Sequence, residues 1–124
     1  MNTVKHRVML IDDEAQLNEL LKADLEQRGF EVCMESSATH ALETAVAFRP
    51  DVVVCDISMP GKSGPGVMRE FKVHPATRRV PFIFLTALVS TPQECEAPGQ
   101  PVMLAKPVHV PRLVHHIREC VNPA

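Results

Sequence analysis

Val52, Val53, Val54 and Cys55 follow one another without a polar break and are closed by Asp56. A strand with one face in water alternates apolar and polar residues. An unbroken apolar run of strand length therefore fits a sheet covered on both faces, as parallel sheets between layers of helix are. The rest of the chain must then supply flanking strands and crossover helices. His6 to Ile11 is a short apolar run ending in acid, and from Glu14 to Arg28 the residues Leu17, Leu20, Leu21 and Leu25 share one face at helical spacing until Gly29 stops the pattern. Phe30 to Met34 reads as a second strand, and Ser37 is placed to cap a helix in which Ala38, Ala41, Leu42, Ala45 and Val46 recur up to Pro50. After the central strand come a loop rich in proline and glycine and a helix of about two turns from Gly66 to Lys72. Val80 to Leu85 is a fourth strand, with Pro81 near its start, where a missing donor does least harm. Val102 to Ala105 reads as the fifth, and Pro111 opens a last helix with Leu113, Val114, Ile117, Cys120 and Val121 on one face.

Strands alternating with helices from end to end predict an open, doubly wound α/β sandwich. It is expected to be a single domain over residues 1–124, without repeat or linker. A net charge of −2 provides no field to hold a nucleic-acid backbone or an anionic membrane, so neither is an expected direct partner. The apolar stretches are too short to span a bilayer, and Met1 to Arg7 lacks a signal-peptide core, which makes the cytoplasm the expected location. Cys33, Cys55, Cys95 and Cys120 have neither a CxxC pair nor zinc-ligand spacing and read as reduced, mostly buried thiols.

In such folds ligands bind beyond the carboxyl ends of the strands, where the strand order reverses. The first strand ends at Asp12 and Asp13, the third at Asp56, the fourth at Thr86 and the fifth at Lys106, followed by Pro107. Each has a duller account alone: Asp12 or Asp13 as a helix cap, Thr86 as a turn cap, Lys106 as a solvated charge. Their shared placement at strand ends favours a site for the set. Three carboxylates held close push at least one toward its protonated form unless a cation joins them. Oxygen ligands without His or Cys suit Mg²⁺ or Mn²⁺, and magnesium keeps positions free for waters and phosphate oxygens.

The cluster Asp12, Asp13, Glu14, the loop Asp56, Ile57, Ser58, Met59, Pro60, Gly61, the pair Thr86, Ala87 and the pair Lys106, Pro107 together resemble the response-regulator receiver domain, of the chemotaxis single-domain type, over essentially the whole chain. The resemblance implies a flavodoxin-like, five-stranded parallel sheet of order 2-1-3-4-5 with five helices. It also implies two-component signalling, in which a sensor histidine kinase or a histidine phosphotransfer protein passes a phosphoryl group to an aspartate. On that pattern Asp56 is the phosphoacceptor, forming an acyl phosphate. Asp13 binds the metal directly, Asp12 does so through water or as a weaker ligand, and the Ser58 backbone carbonyl completes the set. Lys106 offsets charge on the transferred group, Thr86 bonds a phosphoryl oxygen, and a cis Lys106–Pro107 bond is the family habit. Such a domain catalyses only its own phosphorylation and dephosphorylation and is otherwise not an enzyme. A monomer or weak dimer is expected. No output domain follows Ala124 in this sequence, so a separate protein is the expected reader where this is the whole natural chain.

The sequence departs from the pattern before and within the fifth strand. Gly99 holds the family's glycine position, but Gln100 and Pro101 replace the usual alanine and acid, and Met103 stands where an aromatic switch residue is usual. Methionine can fill that space without acting as the same two-state marker, which bears on coupling and not on phosphorylation. Thr91 to Glu94 is a credible capping box, yet Pro98 limits the fourth helix to a turn or two. These departures favour a second reading, a receiver-like scaffold that binds a partner without phosphorylation; the intact Asp13, Asp56, Thr86 and Lys106 oppose it. A third, an aspartate-nucleophile phosphatase, lacks its second acid, since Ser58 occupies that place. Gly61 to Gly66 lacks the ending of a phosphate loop and reads as a flexible turn. His115 and His116, adjacent on a helix, cannot face one way and are expected to be solvated or partly buried.

Overall fold

The computed structural model describes residues 5–87 and 101–121. Five parallel strands form one sheet of order β2-β1-β3-β4-β5, where β1 is Arg7–Ile11, β2 Glu31–Glu35, β3 Val52–Asp56, β4 Phe82–Thr86 and β5 Val102–Ala105. The helices among the described residues are α1 (Ala15–Gln27), α2 (Ala41–Phe48, entered through a 3-10 turn at Ala38–His40), α3 (Gly64–Lys72) and α4 (Val110–Val121). The order is the one expected, and strand bounds agree within a residue or two. The short helix expected between Val89 and Pro98 lies outside the described residues, as do Cys95, Gly99 and Gln100.

The run at 52–55 is apolar throughout because successive side chains serve two different cores. Val52 and Val54 join Val8, Leu10 and Ile83 under α1 and α4, while Val53 and Cys55 join Met9, Ile11 and Phe84 under α2 and α3. Removing both faces from water stabilises the sheet by about 1.5–3 kcal/mol for each large side chain fully buried, which is why this strand sits at the centre.

Several local expectations are corrected. In α1 the buried residues are Asn18, Leu21 and Leu25, whereas Leu17 is 53% and Leu20 71% exposed. Both faces fit a helical repeat, and the Asn18 amide, which donates to the Asp12 carbonyl at 3.2 Å, sets the rotation. In α2 Ala41 and Ala45 face inward, and Val46 faces outward. Ser37 precedes that helix in an extended conformation without a side-chain cap bond. His115 is exposed, but His116 is buried, and both ring nitrogens lie near the same Glu119 oxygen at 3.4 and 3.6 Å.

α3 begins two residues earlier than the sequence suggests, so the Gly61 to Gly66 segment is a turn only at its start. Ser63 caps the helix by accepting from the Gly66 amide at 3.1 Å, with Pro65 in the first turn. Gly61 has a φ of 83°, which glycine adopts without penalty. Gly64 is constrained for a different reason. A Cβ there would stand 2.5 Å from the Asp56 carbonyl oxygen and 2.9 Å from the Phe84 ring, so only glycine lets α3 approach the end of β3.

Candidate functional site

Parallel register brings the strand ends to one edge. Asp56 closes β3 opposite Leu85, and Thr86 closes β4 opposite Ala105. The backbone continues this alignment past the strands: the Ile57 amide donates to the Leu85 carbonyl at 2.9 Å, and the Lys106 amide to the Thr86 carbonyl at 2.8 Å. On the other side of β3, the Asp12 amide follows β1 and donates to Glu35 at 3.2 Å. Asp12, Asp56 and Thr86 are all buried, and Asp13 is exposed beside them.

Asp12, Asp13 and Asp56 each offer a carboxylate oxygen, and these atoms lie within 4.8 Å of one another. The Ser58 amide donates to Asp56 Oδ1 at 3.3 Å, which folds the loop after β3 back over the carboxylate. Lys106 Nζ meets Asp12 Oδ2 at 3.0 Å, Asp56 Oδ2 at 3.2 Å and Glu14 Oε1 at 3.3 Å. The Lys106–Pro107 peptide bond is cis, as expected. Burial pushes the Asp56 carboxyl above its ordinary range, against the opposing pull of the Ser58 amide and Lys106. Burial would lower the Lys106 ammonium, but hydrogen bonding and charge from Asp12, and then from Asp56, outweigh it and hold lysine above its usual value. Lysine is thus firmly cationic, while burial makes the Asp56 carboxylate costly to ionise.

Such a constellation can attract a hard cation and an anion at once. Three carboxylates with no nitrogen or sulfur donor fit Mg²⁺ or Mn²⁺, and one ammonium borders the same opening. Beside it lies an apolar groove of about 290 Å³ between α1 and the segment leading into α4, lined by Leu17, Leu20, Pro107, Val108 and Val110 and reaching Asp12 and Lys106.

Residues 8–118 match the family described as response regulator receiver domain. The chain belongs to that family. Receiver domains are modules of two-component signalling, and the curated relatives are response regulators. The DNA-binding response regulator MtrA of Mycobacterium tuberculosis is 35% identical over 91 residues, which is 73% of this chain and 39% of MtrA. Response regulator PleD of Caulobacter vibrioides is 35% identical over 82 residues, 66% of this chain and 18% of PleD. This receiver domain thus spans well under half the length of the curated relatives it matches. Among solved structures, a response regulator receiver domain protein from Clostridium thermocellum superposes with a TM-score of 0.79 at 30% identity, covering 94% of each chain. No helix among the described residues is long and apolar enough to cross a membrane.

Every site residue expected from the sequence is described. Asp12, Asp13, Asp56 and Lys106 converge, Ser58 contacts Asp56 through its amide, and Thr86 ends the neighbouring strand. Met103 pairs with Phe84 across β4 and β5 and is partly buried against the core under α2 and α3. Sequence reasoning did not assign roles to Glu14 and Asn18. Both have long-range or backbone partners that helical spacing does not encode; the available signals were the place of Glu14 in the acidic cluster Asp12, Asp13, Glu14 and a polar Asn18 inside a leucine-rich helix.

Proposed function

We propose that this receiver domain accepts a phosphoryl group on Asp56 from a phosphohistidine of a sensor histidine kinase or a histidine phosphotransfer protein, and that phosphorylation changes a protein-interaction surface. The observation that carries the reading is the convergence of the Asp56 carboxylate with Asp12, Asp13 and the Lys106 ammonium at one sheet edge. An Asp56 carboxylate oxygen attacks phosphorus, an O–P bond forms, and the N–P bond of the donor breaks to release imidazole, which takes a proton. Asp13, Asp56 and the Ser58 carbonyl would hold Mg²⁺ (or Mn²⁺), with Asp12 assisting through water. When bound, that ion supplies positive charge for the phosphoryl oxygens. Lys106 contributes a further fixed cation where charge develops, and the Ser58 amide keeps the carboxylate in place. The Thr86 hydroxyl would bond a phosphoryl oxygen after transfer.

The reading leaves Met103 as the switch position, filled by a residue that packs without an aromatic face. It also gives the groove beside Lys106 a use: a donor bringing phosphohistidine to Asp56 would rest against exposed Leu17 and Leu20. The test is intact mass after treatment with acetyl phosphate and Mg²⁺, beside Asp56→Asn and a chelated control. A metal-dependent adduct lost in the variant is expected. No adduct, together with no binding of beryllofluoride, would shift the reading to a phosphorylation-independent scaffold.

A further inference from the structure

An ammonium has three N–H donors, and those of Lys106 face three carboxylates: Asp12 at 3.0 Å, Asp56 at 3.2 Å and Glu14 at 3.3 Å. The acceptors are not equivalent. Asp12 and Asp56 are buried and belong, with Asp13, to the cluster of converging carboxylate oxygens. Glu14 stands outside that cluster; its side chain is 55% exposed and its contact is the longest of the three. Its backbone is held independently, because the Glu14 amide donates to Asp12 Oδ1 at 3.0 Å.

A phosphoryl oxygen arriving at Asp56 needs an N–H from Lys106. Taking it from Asp12 would remove a donor from a buried carboxylate, and taking it from Asp56 would remove one from the buried oxygen that stays free of phosphorus. Taking it from Glu14 returns an exposed carboxylate to water at little cost. From this geometry we propose that Glu14 is a positioning residue that occupies one N–H of Lys106 in the resting domain and is displaced by the incoming phosphoryl group. The inference rests on the acceptor reading of Asp56. Glu14 then opposes phosphoryl binding by direct competition for lysine, and only its side chain has to move.

The experiment measures beryllofluoride affinity at saturating Mg²⁺ for the wild type, Glu14→Gln and Glu14→Asp, with Mg²⁺ affinity measured separately without fluoride. Glu14→Gln removes the charge, whereas Glu14→Asp keeps it on a side chain one methylene shorter, which draws it back from Lys106. Both variants are expected to bind beryllofluoride about two- to fivefold more tightly, the scale of an exposed ion pair, without tighter Mg²⁺ binding. Affinity gained by the Gln variant alone would make Glu14 a source of general repulsion and overturn the proposal. Equal or weaker binding by both variants would overturn it as well, while leaving the acceptor reading intact. Failure of the wild type itself to bind beryllofluoride would overturn both.

Discussion

Lys106 Nζ lies 3.0 Å from Asp12 Oδ2, joining residues 94 positions apart in the chain. The contact links the end of β5 to the end of β1 across β3 and β4, and it sets the Lys106 ammonium as a counter-charge between Asp12 and Asp56. Lys106→Met should leave Asp12 and Asp56 buried against each other without that counter-charge. The metal-free domain is expected to lose about 1–3 kcal/mol of stability in urea titrations, since buried acceptors lose their charged donor. Phosphoryl gain from acetyl phosphate should slow at least about tenfold, as loss of an electrostatic stabiliser does. Wild-type rates in the variant would refute the assigned role.

Asp56 gives a pH prediction whose sign follows from burial. Its carboxyl is raised above the ordinary value, first by desolvation, so the folded domain binds that proton more tightly than the unfolded chain. The associated stability is present below the unfolded carboxylate range and is lost as pH rises through the folded value. With chelator present, Asp56→Asn should therefore be more stable than wild type at neutral pH, and the gap should narrow as pH falls into the carboxylate range. Thermal unfolding across that window checks it; a gap that widens on acidification would contradict it.

Gly64 tests how closely α3 must approach the acceptor strand. In Gly64→Ala the new methyl meets the Asp56 carbonyl at 2.5 Å and the Phe84 ring at 2.9 Å unless the helix shifts. A loss of about 1–3 kcal/mol is expected, the usual cost of overpacking. It should be visible as a lower Tm and accompanied by slower phosphoryl gain. An unchanged Tm would mean that the approach relaxes freely.

Leu20 separates donor docking from chemistry. Its side chain is 71% exposed, so Leu20→Glu should alter stability by no more than about 0.5 kcal/mol. Transfer from a protein phosphohistidine donor should weaken severalfold while transfer from acetyl phosphate stays as in the wild type. Equal loss with both donors would place the effect at the acceptor instead.

Cys55 is expected to be the least reactive of the described cysteines. Burial, and then the charges of Asp56 and Asp12, push its thiol up to about 12, and the thiolate is the reactive form. Cys33 and Cys120 are only partly buried. Peptide mapping after brief iodoacetamide treatment near pH 8 should find those two alkylated before Cys55; early labelling of Cys55 would show that β3 opens readily.

Sequence pattern alone determined the alternation of strands and helices, the central place of the run at 52–55, and the polar residues that end each strand. These are local properties: an apolar run on a buried strand, a helical repeat, and the change from apolar to charged residues where the chain leaves the core all appear within a few positions. Tertiary structure decided the rest. The leucines of α1 satisfy more than one helical face, and only contact with the sheet and the bond from Asn18 to Asp12 chose the rotation that exposes Leu17 and Leu20. The need for glycine at 64 arises from a carbonyl on another element. The third contact of Lys106 depends on a side chain 92 residues away. Spacing along the chain carries no information about such approaches, because they exist only once parallel register has brought the strand ends to one edge.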